Sequence, residues 1–198
     1  QSSGINQHIA EISSDLSILV NSRNLNKLWD GEGKPVPNLM REMELDFLTF
    51  ARARKRYNQI RILDVKGMEI LRVNFQQGQA ETVQQNKLQD KSGRYYFEET
   101  IRLEKNQVFV SPLDLNKEHG LVEWPLKPMI RFGVPVFDHQ GIKRGILLLN
   151  YFADELLQRF SEHDAHMGVA EHNSLHGGKV ILLNSDGYIL RGEHHKHE

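Results

Sequence analysis

A chain of 198 residues, 39% hydrophobic and 26% charged, can bury a substantial core, which excludes global disorder. Its 25 basic and 26 acidic residues leave a net charge of -1, without the basic excess of a nucleic-acid binder. Cysteine is absent, so disulfides, thiolate metal sites and a cysteine nucleophile are excluded. The longest purely aliphatic run, Ile146 to Leu149, falls far short of the roughly 20 residues that cross a bilayer. The chain begins at Gln1 without a signal peptide and reads as a soluble piece of a longer protein.

Ile5, Ile9, Ile12, Leu16 and Leu19 recur at spacings of four, three, four and three, the period of a helix packed along another helix. The helix either lies against its own domain or forms a dimer stalk. Asp30 to Pro37 is a cluster of glycine, proline and acidic residues and reads as loop. Asn38 is the expected cap of a second helix with Leu39, Met43, Phe47 and Phe50 on one face. Arg52, Arg54, Lys55 and Arg56 then fall at its end, where cations suit the helix dipole and solvent is their expected surrounding.

From Tyr57 the pattern becomes that of strands. Tyr57 to Leu63 and Met68 to Phe75 flank Asp64-Val65-Lys66-Gly67, a hairpin turn with Gly67 at positive φ. Gln76 to Gly93 is polar and reads as loop and short helix, Arg94 to Thr100 as a short helix, and Gln107 to Ser111 as a short strand. Lys127 to Phe137 and Ile142 to Tyr151 are long apolar strands around a second hairpin turn, Asp138 to Gly141, and Ala153 to Phe160 is a closing helix. Helices packed on an antiparallel sheet make the α+β class. Beyond Ser161 the composition turns histidine-rich. Lys179 to Leu183, Ser185-Asp186-Gly187 and Tyr188 to Arg191 then echo the earlier strand, turn and strand, as though a second related domain opened near Gly177.

The stretches Leu88 to Thr100, Val108 to Asn116, and Lys127 to Phe132 with Arg144 to Tyr151 resemble, in this order, double Cache (tandem PAS-like) extracytoplasmic sensor domains. The likeness runs over roughly residues 1 to 192 and is greatest to the sensor regions of bacterial membrane histidine kinases; some diguanylate cyclases use the same module. It implies a stalk helix and second helix over 1–56, and a membrane-distal PAS-like ligand-binding lobe over 57–161. A connector and an incomplete membrane-proximal lobe would follow over 162–198. It further implies a periplasmic location, anchorage in the bacterial inner membrane through flanking spans outside this chain, and a homodimeric full-length receptor. Kinase or cyclase chemistry would reside in cytoplasmic domains outside it.

Within that resemblance, Arg94 and Tyr96 match the Arg-x-Trp/Tyr element with which amino-acid-binding relatives grip a carboxylate, a group that a guanidinium suits by donating two parallel hydrogen bonds. Asp114 lies where relatives place an acid after the third strand; the alternative is that it pairs with Arg94 to pin the insert. Two departures stand out: Pro112 and Leu113 replace an aromatic before Asp114, and Asn150 replaces an Asp that holds the ligand's ammonium. A carboxylate or other small polar ligand is therefore favoured over an α-amino acid. Arg72 and Arg131 sit among apolar strand residues, where an arginine needs an anion or several acceptors. Ser111 either donates a hydroxyl to the ligand or ends its strand. The expected binding set is thus Arg94, Tyr96, Ser111, Asp114, Arg131 and Asn150.

His163, His166, His172 and His176 with nearby acids invite a metal reading, but their spacing is loose and a solvated connector is the expectation, with no metal and no cofactor. No nucleophile elbow, phosphate loop or His-Glu-x-x-His pair is present, so no catalysis is expected of this chain. The leading expectation is a sensor module on a histidine kinase. The same sensor on a cyclase or chemotaxis receptor, and a ligand-free docking domain using the heptad seam, are the alternatives.

Overall fold

The computed structural model describes residues 3–115, 117–118, 121–122, 127–153, 182–183 and 189–191, with side chains over 10–115 and 127–153. In chain order the helices are α1 (Ser3–Val20), α2 (Arg23–Asn26), α3 (Pro37–Arg54) and α4 (Tyr95–Arg102). The strands are β1 (Tyr57–Asp64), β2 (Glu69–Gln76), β3 (Gln79–Thr82), β4 (Phe109–Val110), β5 (Asp114–Leu115), β6 (Lys117–Glu118), β7 (Leu121–Val122), β8 (Pro128–Phe137), β9 (Lys143–Phe152), β10 (Leu182–Leu183) and β11 (Ile189–Arg191). A seven-stranded antiparallel sheet runs in the order β3-β2-β1-β9-β8-β4, with β5 also on β8, so the fold is α+β as expected. The expected closing helix after Ala153, the histidine-rich connector and the Ser185–Gly187 turn lie outside the described residues.

The chain divides into two compact units, Gln1–Pro112 with Arg131–Tyr151 and Leu113–Ile130 with Phe152–Glu198. In the second, β5 pairs with the start of β8 through Asp114 opposite Met129, and β6 pairs with β7. There too β10 and β11 form an antiparallel pair where the repeated strand pattern predicts one.

In the first unit the α1 seam turns inward: Ile12, Leu16 and Leu19 are all buried, so these seam positions serve the helix's own domain. Helix α3 buries Met43, Phe47 and Ala51 at four-residue spacing, and it packs across β1, β2 and β3. Its start differs from the expectation. Pro37 occupies the first turn and Val36 the cap position, so Asn38 is already helical; proline's fixed φ and missing N–H suit it to that place. The basic end is also not simply solvated. Arg54 pairs with Asp15 of α1 at 2.7 Å and Arg56 with Glu11 at 2.8 Å.

Asp15 is 2% exposed, and the Tyr57 hydroxyl donates to its second oxygen at 2.6 Å. Burial comes first, and the bond to Asp15 second, in pushing the Tyr57 phenol far above its ordinary ionisation range. One buried carboxylate thus ties α1 to both α3 and the first residue of β1.

The two hairpins share one turn chemistry. Asp64 Oδ1 accepts the N–H groups of Lys66 and Met68, Asp138 Oδ1 those of Gln140 and Ile142, and Gly67 has φ +89° as expected. The Asp138 carboxyl is pushed up by burial, but the Ile142 N–H, Arg144 and the Gln140 N–H outweigh this and hold it below the usual range. Strand β3 was not expected. It follows a two-residue turn in which Gln77 and Gly78 both have positive φ, and glutamine is a poor signal for that conformation.

Replacing Tyr57 with Phe leaves the buried Asp15 oxygen without its donor and is expected to cost about 1–3 kcal/mol in urea unfolding. The wild-type protein should also lose stability above about pH 10, where tyrosine ionises in the unfolded chain but Tyr57 does not in the folded one. This alkaline loss should be smaller in Tyr57→Phe.

Candidate functional site

The two faces of the central sheet differ in kind. Ile60, Ile62, Leu71, Val73, Leu147 and Leu149 share one face by register and form an apolar layer. Alternate residues face the other way: Gln59 opposes Asn74 and Asn150, Arg61 opposes Arg72 and Leu148, and Leu63 opposes Ile146. Leu63, Ile146 and Leu148 pack with Tyr96 and Phe97 of α4, which therefore covers this second face. Helix α4 lies close because Gly133 has no side chain; a Cβ there would sit 2.5 Å from Thr100 Oγ1.

Five charged or amide side chains on this face, Gln59, Arg61, Glu69, Arg72 and Asn150, are almost fully enclosed and are held by one another. Glu69, 0% exposed, accepts from Arg61 Nη1 and Arg72 Nη1 at 3.4 Å each and from the Gln89 N–H at 3.1 Å. Arg61 Nη2 donates to Asn150 Oδ1 at 2.7 Å, Asn150 Nδ2 to Gln59 Oε1 at 3.1 Å, and Arg72 Nε to Asn74 Oδ1 at 3.0 Å. Burial of a guanidinium is tolerated when a carboxylate and further acceptors replace its water, which is what this network supplies. Arg72 therefore resolves as an internal partner of Glu69.

Tyr96 is the centre of the arrangement. It is 3% exposed, and the guanidinium carbons of Arg131, Arg61 and Arg94 stand 5.2, 5.4 and 5.8 Å from its ring centroid. Burial pushes its phenol up, but the charges of Arg61, Lys91 and Arg131, with a hydrogen bond from Arg61, outweigh that and leave it below its ordinary range. The phenol thus reports a strongly positive local potential.

Of the six residues expected from the sequence, Arg94, Tyr96 and Arg131 meet at this ring, and Asn150 joins them through Arg61. Arg94 stands at the cap position of α4, where its carbonyl accepts from Phe97 and Glu98 while its side chain reaches the ring. Ser111 is bound to backbone: Oγ accepts from the Arg131 N–H at 2.8 Å and donates to the Pro112 carbonyl at 2.7 Å. Asp114 belongs to the second unit, where its Oδ1 accepts from the Leu115 N–H. Sequence reasoning missed Gln59, Arg61 and Glu69. The available signal was polar residues at every second position of an apolar strand, Gln59 and Arg61 in β1 and Arg72 and Asn74 in β2.

The same unit holds a cleft of about 230 Å³ lined by Leu16 and Ser17 of α1 together with Lys105, Val108, Val134 and Phe137; none of the six expected residues lines it. Among the described residues no group of three His, Asp or Glu is placed to hold a metal ion, and no helix is long and apolar enough to cross a membrane.

Ultraviolet titration should find one of the five tyrosines ionising early, and Tyr96→Phe should remove that step. Glu69→Gln strips two buried guanidiniums of their counter-charge and should cost about 3–5 kcal/mol by denaturant unfolding.

The chain matches the family model of the bacterial histidine kinase sensor domain over residues 5–161. A domain from Vibrio parahaemolyticus assigned to the sensory box/GGDEF family is 28% identical, with TM-score 0.66, over 79% of this chain and 57% of that one. The extracellular domain of a histidine kinase, vpHK1S-Z8, is also 28% identical, with TM-score 0.67, over 79% of this chain and 54% of that one. The chain therefore spans little more than half of these two solved sensor domains. The ligand-binding domain of the Campylobacter jejuni chemoreceptor Tlp3, solved with 4-methylisoleucine, shares the fold at 12% identity and TM-score 0.63, over 96% of this chain and 64% of that one. No curated protein matches. With the family model covering residues 5–161 and the sensory fold of these structures in common, the chain belongs to the bacterial histidine kinase sensor-domain family.

Proposed function

We propose that this chain is the periplasmic ligand-sensing region of a membrane histidine kinase, and that it holds a small carboxylate-bearing ligand beside Tyr96. The observation that carries this reading is the convergence of three guanidinium groups within 5.8 Å of one buried ring centroid. Like charges gathered at low dielectric repel, and an anion among them relieves that repulsion while offering bidentate acceptors. Arg94 is the group best suited to grip, because Arg61 is engaged with Glu69 and Asn150. The Tlp3 domain is described in complex with valine and with isoleucine, both carboxylates, although the Asn150 position here offers an amide in place of an acid.

On this reading residues 57–161 form the membrane-distal lobe, 1–56 the stalk and second helix, and a proximal lobe opens after 162. The full-length receptor is a homodimer with flanking membrane spans. Ligand binding favours one arrangement of the lobe in proportion to its affinity difference between two states. Strand β1 suits that transmission, since Gln59 and Arg61 stand on the ligand face while Tyr57 binds α1 through Asp15. A diguanylate cyclase output is the second reading, favoured by the equal 28% identity to the sensory box/GGDEF domain.

The test is a thermal-shift screen of small carboxylates, amino acids, nucleobases, amines and divalent metals. A ligand at 100 times its dissociation constant should add about 2.7 kcal/mol. Carboxylate hits lost in Arg94→Ala are the expected result. Hits confined to uncharged compounds, or unchanged by Arg94→Ala, count against the site. So does a flat screen from protein that mass spectrometry finds free of co-purified ligand.

A further inference from the structure

Asn58 is 0% exposed, yet neither its Oδ1 nor its Nδ2 has a hydrogen-bond partner. A buried amide left in this state is costly, and such groups in folded proteins call for an explanation. Its place in the sheet supplies one. Tyr57 opposes Tyr151 and Gln59 opposes Asn150, so Asn58 is the extra residue of a β-bulge. Bulges re-aim side chains and are frequent beside binding and active sites.

The bulge also breaks the alternation of β1. Strict alternation would put Tyr57 and Gln59 on one face. Instead Tyr57 stacks on Phe50 of α3 and binds Asp15 of α1, while Gln59 bonds Asn150 on the face that α4 covers. Asn58 must therefore share a face with one of its neighbours. On the Tyr57 side stand the rings of Phe50, Tyr151 and Phe132, and the Asp15 carboxylate there is already engaged by Tyr57 and Arg54. On the Gln59 side lies the polar network that continues to Arg61 and Tyr96.

We propose that Asn58 is a further ligand-contact residue of this site, selecting a ligand that carries, besides its carboxylate, a group able both to donate and to accept a hydrogen bond. The proposal rests on the binding reading above. An amide presents a donor and an acceptor together. A second carboxylate would leave Oδ1 unsatisfied, and an ammonium would leave Nδ2 unsatisfied. A hydroxyl or a carboxamide satisfies both, so the ligand class is a hydroxy acid or a carboxamide-bearing acid.

Two matched pairs of probes test this on the 198-residue chain: lactate against propionate, and succinamate against butyrate. Calorimetry should show the first of each pair binding at least about ten-fold tighter, the scale of one buried hydrogen bond. Asn58→Leu, with the same branching and without orphan polar atoms, should melt no lower than wild type and lose the preference within each pair. Asn58→Asp, which lacks the donor, should lose it as well and serves if the leucine variant fails to fold. Arg94→Ala should weaken all four probes alike. Equal binding within each pair by wild type, or a preference that survives in both Asn58 variants, overturns the proposal and leaves the carboxylate site standing. A preference abolished by the Asn58 variants and untouched by Arg94→Ala supports Asn58 and sinks the grip assigned to Arg94. Failure of all four probes overturns both.

Discussion

The sheet face that α4 covers depends on one carboxylate with no exposed surface. Glu69 accepts from two guanidiniums and a backbone N–H, and without it Arg61 and Arg72 would be two like charges side by side in the interior. Breaking a buried pair by removing one partner is far costlier than the pair itself is stabilising, so the network is an all-or-none arrangement. Its geometric consequence matters more than its energy. Held by Glu69 and Asn150, Arg61 stands over the Tyr96 ring, and this fixed charge shares the ring with those of Arg94 and Arg131.

The two sheet faces were not equally legible in the sequence. The apolar face follows from period alone: Ile60 and Ile62, Leu147 and Leu149 alternate, the hairpin turns at Asp64 and Asp138 set the register, and both long strands fall within a residue or two of expectation. The polar face is a different matter. Arg94 and Tyr96 were reachable only through likeness to a known sensor pattern, and Arg131 through its place among apolar strand residues. Arg61 and Glu69 read as ordinary polar alternation, which in most half-exposed strands means solvent. Only the covering helix, brought close by Gly133, turns that alternation into burial. This bulge carries no glycine to mark it, so the position of Asn58 was beyond any periodicity argument.

The N-terminal helix illustrates the same limit from the other side. Its 3.5-residue seam is equally consistent with a partner helix and with its own domain. What decides is a polar contact within the seam's reach: Asp15 is buried by bonds to Tyr57 and Arg54, residues some forty positions away. Such pairings are set by tertiary structure, and no local spacing announces them.

Strand β1 brings these two halves together. Within five residues it carries Tyr57, fastened to α1, then the bulge at Asn58, then Gln59 and Arg61 in the charged network. A bulge is the place where a strand can alter its twist without disturbing the rest of the ladder. Small changes in a packed core tend to resolve into discrete alternatives rather than gradual deformation. An occupant that satisfies the Asn58 amide and neutralises the guanidiniums around Tyr96 would bear on both sides of that hinge at once. The clasp on α1 lies one residue from the bulge, so β1 links the two directly along the chain.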